Sequence, residues 1–398
     1  MYAKPHCPSL VKVFLVVVIA IELALVGFLA FGQPSEGKEG AAAGGGSNEP
    51  AATQPTADPQ PAAPAEGEGA GEGEGGEPAP EPVTLTISFA GDCTLGASPK
   101  SDPDYSFNGV YEQEGEDASY FLKNVADLFG ADDLTVVNLE GTLTESKESA
   151  DKDYPFKGSP AYAKVLSGSG VDAATLANDH SLDYREQGYN DTIETLDAEG
   201  VSSFGFGRIA YRDVKGVKVA LVGACALPDN PAEDYTKEMT DNIAQARAEG
   251  AQLVVVYANW GIEKDYVPQE SDMRLGRAAI DAGADVVVGS HPHVVQGWEV
   301  YKGRYIVYSL GNFCYGGNSN PKDKDCLIFQ ETFTVTGTEV APATENDVKF
   351  IACSVSSSSK RNNYQPTLAE DEDAERILAK VQESTDKIAE MAANLGSE

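Results

Sequence analysis

From residue 83 onward, short apolar runs rich in Val, Ile and Leu alternate with longer segments of helical period, and that alternation restricts the chain to an α/β fold. "VTLTISFAGD" (83–92) sets Val, Leu, Ile and Phe against Thr, Thr and Ser at period two, the pattern of a strand with a buried face. "LTVVNLEG" (134–141), "VDAATLANDH" (171–180), "VKVALVGA" (217–224), "QLVVVYANWG" (252–261), "ADVVVGSHPH" (284–293) and "GRYIVYSLGNF" (303–313) read as further strands. Helical segments lie at 116–129, where Phe121, Leu122, Val125, Leu128 and Phe129 share a stripe, at 185–200, near 238–249 and over 270–282. "CLIFQETFTV" (326–335) and "VKFIACSV" (348–355) are strand-like. They precede an amphipathic helix within 366–398 whose Ile377, Leu378, Val381, Ile388 and Met391 share a face. Strand and helix in this order predict a layered α/β domain with a mainly parallel central sheet.

The residues before 83 are of another kind. Val13 to Phe31 is apolar apart from Glu22, and at about 1.5 Å per residue it is long enough for a hydrocarbon core of roughly 30 Å. Residues 1–32 therefore read as an uncleaved single-pass membrane anchor, with Lys4 and Lys12 inside and the rest of the chain extracytoplasmic, and with a cleaved signal peptide as the rival reading. Residues 33–82, built from Gly, Pro, Ala and Glu, have no apolar period and read as a disordered spacer.

Charge bounds the partners. Residues 1–32 sum to +1 and 33–82 to −9, which leaves −26 of the chain's −34 on the folded part. Such a field repels phosphate backbones, so nucleic acid is excluded as a partner. Five cysteines (Cys93, Cys225, Cys314, Cys326, Cys353) lie beyond the apolar run at spacings that match no zinc ribbon or redox motif. They read as small buried thiols, with a Cys314–Cys326 bridge as the alternative.

Where the polar residues fall matters most. Five apolar runs end in a side chain able to hold a metal or a proton: Asp92, Glu140, Asn178, Asn259 and His291, with His293 two residues on. In open α/β sheets the carboxyl ends of strands meet at one crevice. Carboxylates bridge divalent ions, neutral imidazoles complete the shell, and two ions clamp a displacement. His180 is placed to protonate a leaving group. Outside such a site, two histidines beside a proline are turn residues, Trp260 and Cys93 pack, and Asn259 is a supporting group. Ser309 and Asn312 of "SLGNF" are expected to brace the site from below.

The blocks "FAGDCTLG", "VVNLEGTLT", "ANDHSLDY", "GSHPHVVQGWEVYKGRYIVYSLGNF" and "CYGGNSNPKDKD" resemble, in order, those of the CapA-type proteins of poly-γ-glutamate capsule synthesis. The resemblance spans nearly all of 83–365. It implies a four-layer α/β/β/α sandwich similar to the calcineurin-like metallophosphatases, with mixed, mainly parallel sheets, behind one transmembrane helix and a disordered linker. By the same resemblance Asp92 is the first carboxylate ligand, Glu140 a bridging acid, Asn178 and His180 the Asn-His pair, and His291 and His293 the terminal histidine pair. Two positions depart from the pattern. Thr94 stands where the phosphoesterases carry a histidine, and Asn259 where CapA-type chains commonly carry one. The implied cofactor is a divalent ion (Mn, Mg or Zn), and the loss at Asn259 favours magnesium or manganese, or one ion in place of two. The implied partners are an anionic cell-surface polymer and a membrane capsule-synthesis complex. Turnover is left open between a metal-dependent hydrolase and a non-catalytic assembly protein.

Overall fold

The computed structural model describes residues 80–227 and 232–395. The anchor expected over 1–32 and nearly all of the 33–82 spacer lie outside them. Among the described residues, no helix is long and apolar enough to cross a membrane.

Strands β1 (Val83–Thr94), β2 (Leu134–Leu139), β3 (Ala173–Thr175) and β4 (Ser202–Phe204) run parallel in a first sheet. Strand β5 (Ala210–Val214) turns back into β6 (Val217–Ala226), and β6, β7 (Leu253–Trp260) and β8 (Val286–Ser290) form the parallel centre of a second sheet. The hairpin of β9 (Trp298–Tyr301) and β10 (Arg304–Val307) completes it. The chain then crosses back to the first sheet. There β12 (Asp325–Thr336) pairs antiparallel with β1 from Val83 to Ala90, and β11 (Asn312–Tyr315) takes over in parallel at Asp92. Strand β13 (Val348–Ser354) extends that edge.

One central sheet was the expectation from periodicity; two mixed sheets are found. The antiparallel edges of the second sheet follow from two-residue turns. Lys215-Gly216 and Lys302-Gly303 both have φ above zero at each residue, 53° and 82° in the first and 51° and 76° in the second. That is the primed turn whose twist suits an antiparallel hairpin. The run 303–313 is also not one strand: Arg304–Val307 belongs to the second sheet and Asn312 onward to the first.

Side-chain alternation then builds the layers. Leu85, Ile87 and Phe89 of β1 meet Leu253, Val255 and Tyr257 of β7 between the sheets. The opposite face of β7, Val254, Val256 and Ala258, packs under α4 (Ala232–Ala248) and α5 (Glu270–Ala282). Both faces of β7 are covered, so all eight of its residues are buried and it reads as a continuous apolar run. Across the molecule, α1 (Phe107–Gln113), α2 (Ala163–Ser167) and α3 (Arg185–Ala198) cover the outer face of the first sheet. Helix α6 (Asp371–Leu395) closes one side, with Ile377 and Val381 in the intersheet core. It begins later than residue 366 because Thr367–Leu368 pairs with β13. The layers are thus α/β/β/α, and each fully buried Phe or Leu contributes about 1.5–3 kcal/mol to holding them.

The expected helix over 116–129 is two single turns, Ser119–Leu122 and Ala126–Phe129, because Val125 leaves helical geometry at φ −125°. It still buries its stripe. All five cysteines are buried. No Cys314–Cys326 bridge is present; Cys326 faces Cys353 across the β12–β13 ladder.

Candidate metal centre

The carboxyl ends of the parallel strands of both sheets open onto one crevice. At the end of β1 the register with β2 slips between Ala90 and Asp92, a bulge that re-aims the side chain. Gly91 is required there: a Cβ on it would lie 1.9 Å from Gly311 O. The close approach lets Asp92 N–H donate to Gly311 O at 3.0 Å. Glu140 follows β2 directly, its N–H donating to Cys93 O at 2.8 Å. From the second sheet, β8 runs into His291 and His293, whose φ values are 92° and 58°. Left-handed geometry at non-glycine residues costs about 1–3 kcal/mol each and persists only where surroundings enforce it. Here Asn312 Nδ2 donates to His293 O at 3.1 Å and Ser309 Oγ to Val294 O at 2.8 Å, the bracing expected of those two residues.

Asp92, Glu140 and His293 each present a ligand atom within 4.8 Å of the others'. Asn138 Nδ2 donates to Asp92 Oδ1 at 2.9 Å, and His293 Nδ1 lies 3.0 Å from Asp92 Oδ2 and 2.9 Å from Asn312 Oδ1. Both its neighbours are acceptors, so that nitrogen carries a hydrogen in this state. Thr94, the residue at the missing histidine's place, donates to Glu140 Oε2 at 3.3 Å. Glu140 Oε1 has no partner although the residue is 2% exposed, and His291 Nδ1 is likewise buried without a hydrogen bond. Buried polar atoms left unpaired cost about 1–3 kcal/mol each; His291 Nδ1 has Asp179 Oδ1 at 3.6 Å, so it is the Glu140 oxygen that points to a group at this site. Two carboxylates and an imidazole fit a hard divalent ion.

The remaining expected residues fall differently. Asn178 does not offer a ligand atom: its Nδ2 donates to Asn138 Oδ1 and Leu139 O, and its Oδ1 accepts from His180 N–H and Ser181 Oγ. All four amide positions are engaged within the protein. Its neighbour Asp179 faces the crevice instead, 3.6 Å from His291 Nδ1, 3.6 Å from His180 Nε2 and 3.5 Å from Asn259 Nδ2. Consecutive residues of an irregular segment point opposite ways, and the Asn-His likeness hid the acid between them. Asn259 Oδ1 lies 3.3 Å from Ser290 Oγ, which also donates to Ala258 O at 3.2 Å, and the Asn259 amide nitrogen is turned toward Asp179 Oδ1. His180 Nδ1 is 2.7 Å from Asp183 Oδ2, a fully buried acid that sequence reading missed. Tyr315 packs against His293 with ring centroids 5.2 Å apart and the rings tilted by 44°, and Lys152 reaches Asp183; neither carried a periodic signal. Trp260 packs, its Nε1 donating to Tyr308 O at 2.8 Å.

Electrostatics follow from the crowding. Burial, and then Asp92, push the Glu140 carboxyl up to about 7. For His293 burial acts downward, but Glu140 and the hydrogen bond to Asp92 outweigh it and raise the imidazole to about 10. Burial works against Asp179 too, yet His180, His291 and Lys152 hold it well below the usual carboxylate range. Both Glu140 and His293 bind protons more tightly folded than unfolded, so both favour the metal-free fold at low pH. The Glu140 contribution fades from about 4.3, its unfolded value, up to about 7. The His293 contribution is complete below about 6.5 and is lost as pH rises through about 10. Urea midpoints measured in EDTA should therefore fall from about pH 5 to about pH 9, and saturating manganese should flatten or reverse the slope, because the ion displaces the protons. Equal slopes with and without the ion would contradict this.

An α/β/β/α sandwich with an acid–imidazole crevice at its strand ends defines the class. Residues 86–316 match the family model described as bacterial capsule synthesis protein PGA_cap, and the chain belongs to that family. It is 31% identical over 280 residues to the PGA biosynthesis protein CapA of Bacillus subtilis, covering 64% of this chain and 70% of that one. To the capsule biosynthesis protein CapA of Bacillus anthracis it is 30% identical over 279 residues, 64% of this chain and 65% of that one. Among solved structures, a novel phosphatase of Mycoplasma pneumoniae is similar at 14% identity and a TM-score of 0.40, covering 68% of this chain and 93% of that one.

Proposed function

We propose that the chain serves outside the membrane in the synthesis, export or retention of poly-γ-glutamate or a similar anionic polymer, and that Asp92, Glu140 and His293 hold a divalent cation there. Membership of the capsule synthesis family supports the biological role. Physics supports the cation: a folded part carrying −26 repels a polycarboxylate unless positive charge intervenes. The observation that carries the reading is the unpartnered Glu140 Oε1, buried beside Asp92 and His293. When bound, the ion supplies a concentrated positive charge to which substrate carboxylates can be drawn. An oxygen-rich donor set suits manganese or magnesium better than zinc. Residues 1–32 then act as the single-pass anchor and 33–82 as the spacer that lets the domain reach the polymer at a membrane complex.

A second reading is a metal-dependent phosphoesterase or other hydrolase of a cell-envelope substrate, and His180 favours it. With Nδ1 held by Asp183 and Nε2 turned toward Asp179, this imidazole is oriented to deliver a proton to a leaving oxygen.

Purified full-length chain mixed with poly-γ-glutamate separates the two. Retention reading predicts co-sedimentation that requires manganese, is abolished by EDTA and by Glu140→Gln, and leaves polymer length unchanged. Hydrolysis predicts shortening that stops in His180→Ala. Binding indifferent to EDTA would remove the cation from the mechanism.

A further inference from the structure

One end of the site already holds the amino group of a lysine. Lys152 sits in the loop between Thr142–Leu143 and Lys157–Gly158, its side chain 18% exposed. Its Nζ donates to Asp183 Oδ1 at 2.8 Å and to Asp179 O at 2.8 Å, and lies 3.9 Å from Asp179 Oδ2. The loop is pinned around that contact. Ala150 N–H donates to Asp183 O at 2.7 Å, Phe156 N–H to Asp183 Oδ2 at 2.6 Å, and the Phe156 ring packs on His180 at 4.6 Å. The ammonium cannot swing away without leaving Asp183, fully buried, short of a charged partner.

The two ends therefore differ in what they lack. Asp179 faces Lys152, His180, His291 and Asn259. At the other end Asp92 and Glu140 lie together in a buried pocket, and among the described residues no lysine or arginine pairs with either; His293 is the ion-pair partner of Asp92. At the first end an ammonium pairs directly with Asp183 and at longer range with Asp179; at the second, two carboxylates share one imidazole.

We propose that the centre takes a single divalent ion, in the Asp92–Glu140–His293 pocket, and that the Lys152 ammonium stands in place of a second ion at Asp179. This rests on the cation reading above and adds to it the number of ions and the residue that sets it. A second dication at Asp179 would face the ammonium across a few ångströms, between side chains only partly exposed, where like charges repel. Asn259, a neutral amide beside Asp179, offers no anionic compensation.

The test counts ions. Full-length chain is loaded with manganese, desalted, analysed for metal per chain and examined by electron paramagnetic resonance. The expected result is one ion per chain with the hyperfine pattern of an isolated manganese. Lys152→Gln, which keeps a donor but removes the charge, should admit a second ion and give the spectrum of two coupled neighbours, whereas Lys152→Arg should stay at one. Two coupled ions in the unmodified chain would overturn the proposal while leaving the cation reading intact. A single ion in Lys152→Gln would show that Lys152 does not set the number. No ion at all in the unmodified chain would remove the cation reading itself and this proposal with it. Should the variants fail to fold, as circular dichroism would reveal, the count in the unmodified chain still decides between one and two.

Discussion

Asp92→Asn should lower manganese affinity by at least about 100-fold while leaving the metal-free fold about as stable as before. Loss of a supporting residue around a metal ligand already costs about 10–100-fold, and a direct ligand should cost more. The stability half follows from charge. In the metal-free chain Asp92 and Glu140 repel each other inside a buried pocket, and that repulsion is one cause of the raised Glu140 carboxyl. An amide keeps the acceptor for Asn138 Nδ2 and removes the repulsion, but its nitrogen then replaces the oxygen that faces His293 Nδ1 at 3.0 Å, so the gain is offset by the loss of that ion pair. Binding sites commonly hold such unfavourable arrangements in the unliganded state, so substitutions that end function can add stability. Calorimetric titration with manganese and urea unfolding in EDTA check the two halves separately. Unchanged affinity would take Asp92 out of the site, and a midpoint that falls sharply would show that its role is structural.

Gly91→Ala should do the reverse, harming fold and site together. The added methyl carbon would lie 1.9 Å from Gly311 O and 3.0 Å from Gly311 C, far inside contact distance, with backbone on both sides and no flexible side chain to move. Overpacking of this severity costs about 3 kcal/mol or more. The same approach carries the Asp92 N–H to Gly311 O bond and the start of the β1–β11 pairing, so forcing the strands apart displaces Asp92 from His293. Lower urea midpoint and weaker manganese binding are expected to appear together. A variant with both properties within error of the parent chain would show that this contact is dispensable.

Much of this arrangement is legible from residue pattern because strand ends carry the chemistry. Each of β1, β2, β7 and β8 is an apolar run that carries Asp92, Glu140, Asn259 or His291 among its last three residues or just beyond them, and burial of β7 and β8 on both faces makes their limits plain. The pairing of sheets is not legible in that way. Hairpin turns at Lys215-Gly216 and Lys302-Gly303, and the crossing at Gly311 with φ 72°, are decided by single residues. Nor does periodicity reach into irregular segments. Asn178 and Asp179 are adjacent, one engaged on all sides within the protein and the other facing the crevice, and only tertiary contacts separate them. Asp183 and Lys152 are legible only after folding, since they act through His180 and Asp179 and not through any repeating pattern.

Diffraction from crystals soaked in manganese, recorded where that metal scatters anomalously, bears most directly on whether distant strands build a cation pocket. A peak bonded to Asp92, Glu140 and His293 at about 2.0–2.6 Å, absent in Asp92→Asn crystals, is the predicted result. A crevice without a peak at saturating manganese, or a peak that leaves those three side chains untouched, would contradict it.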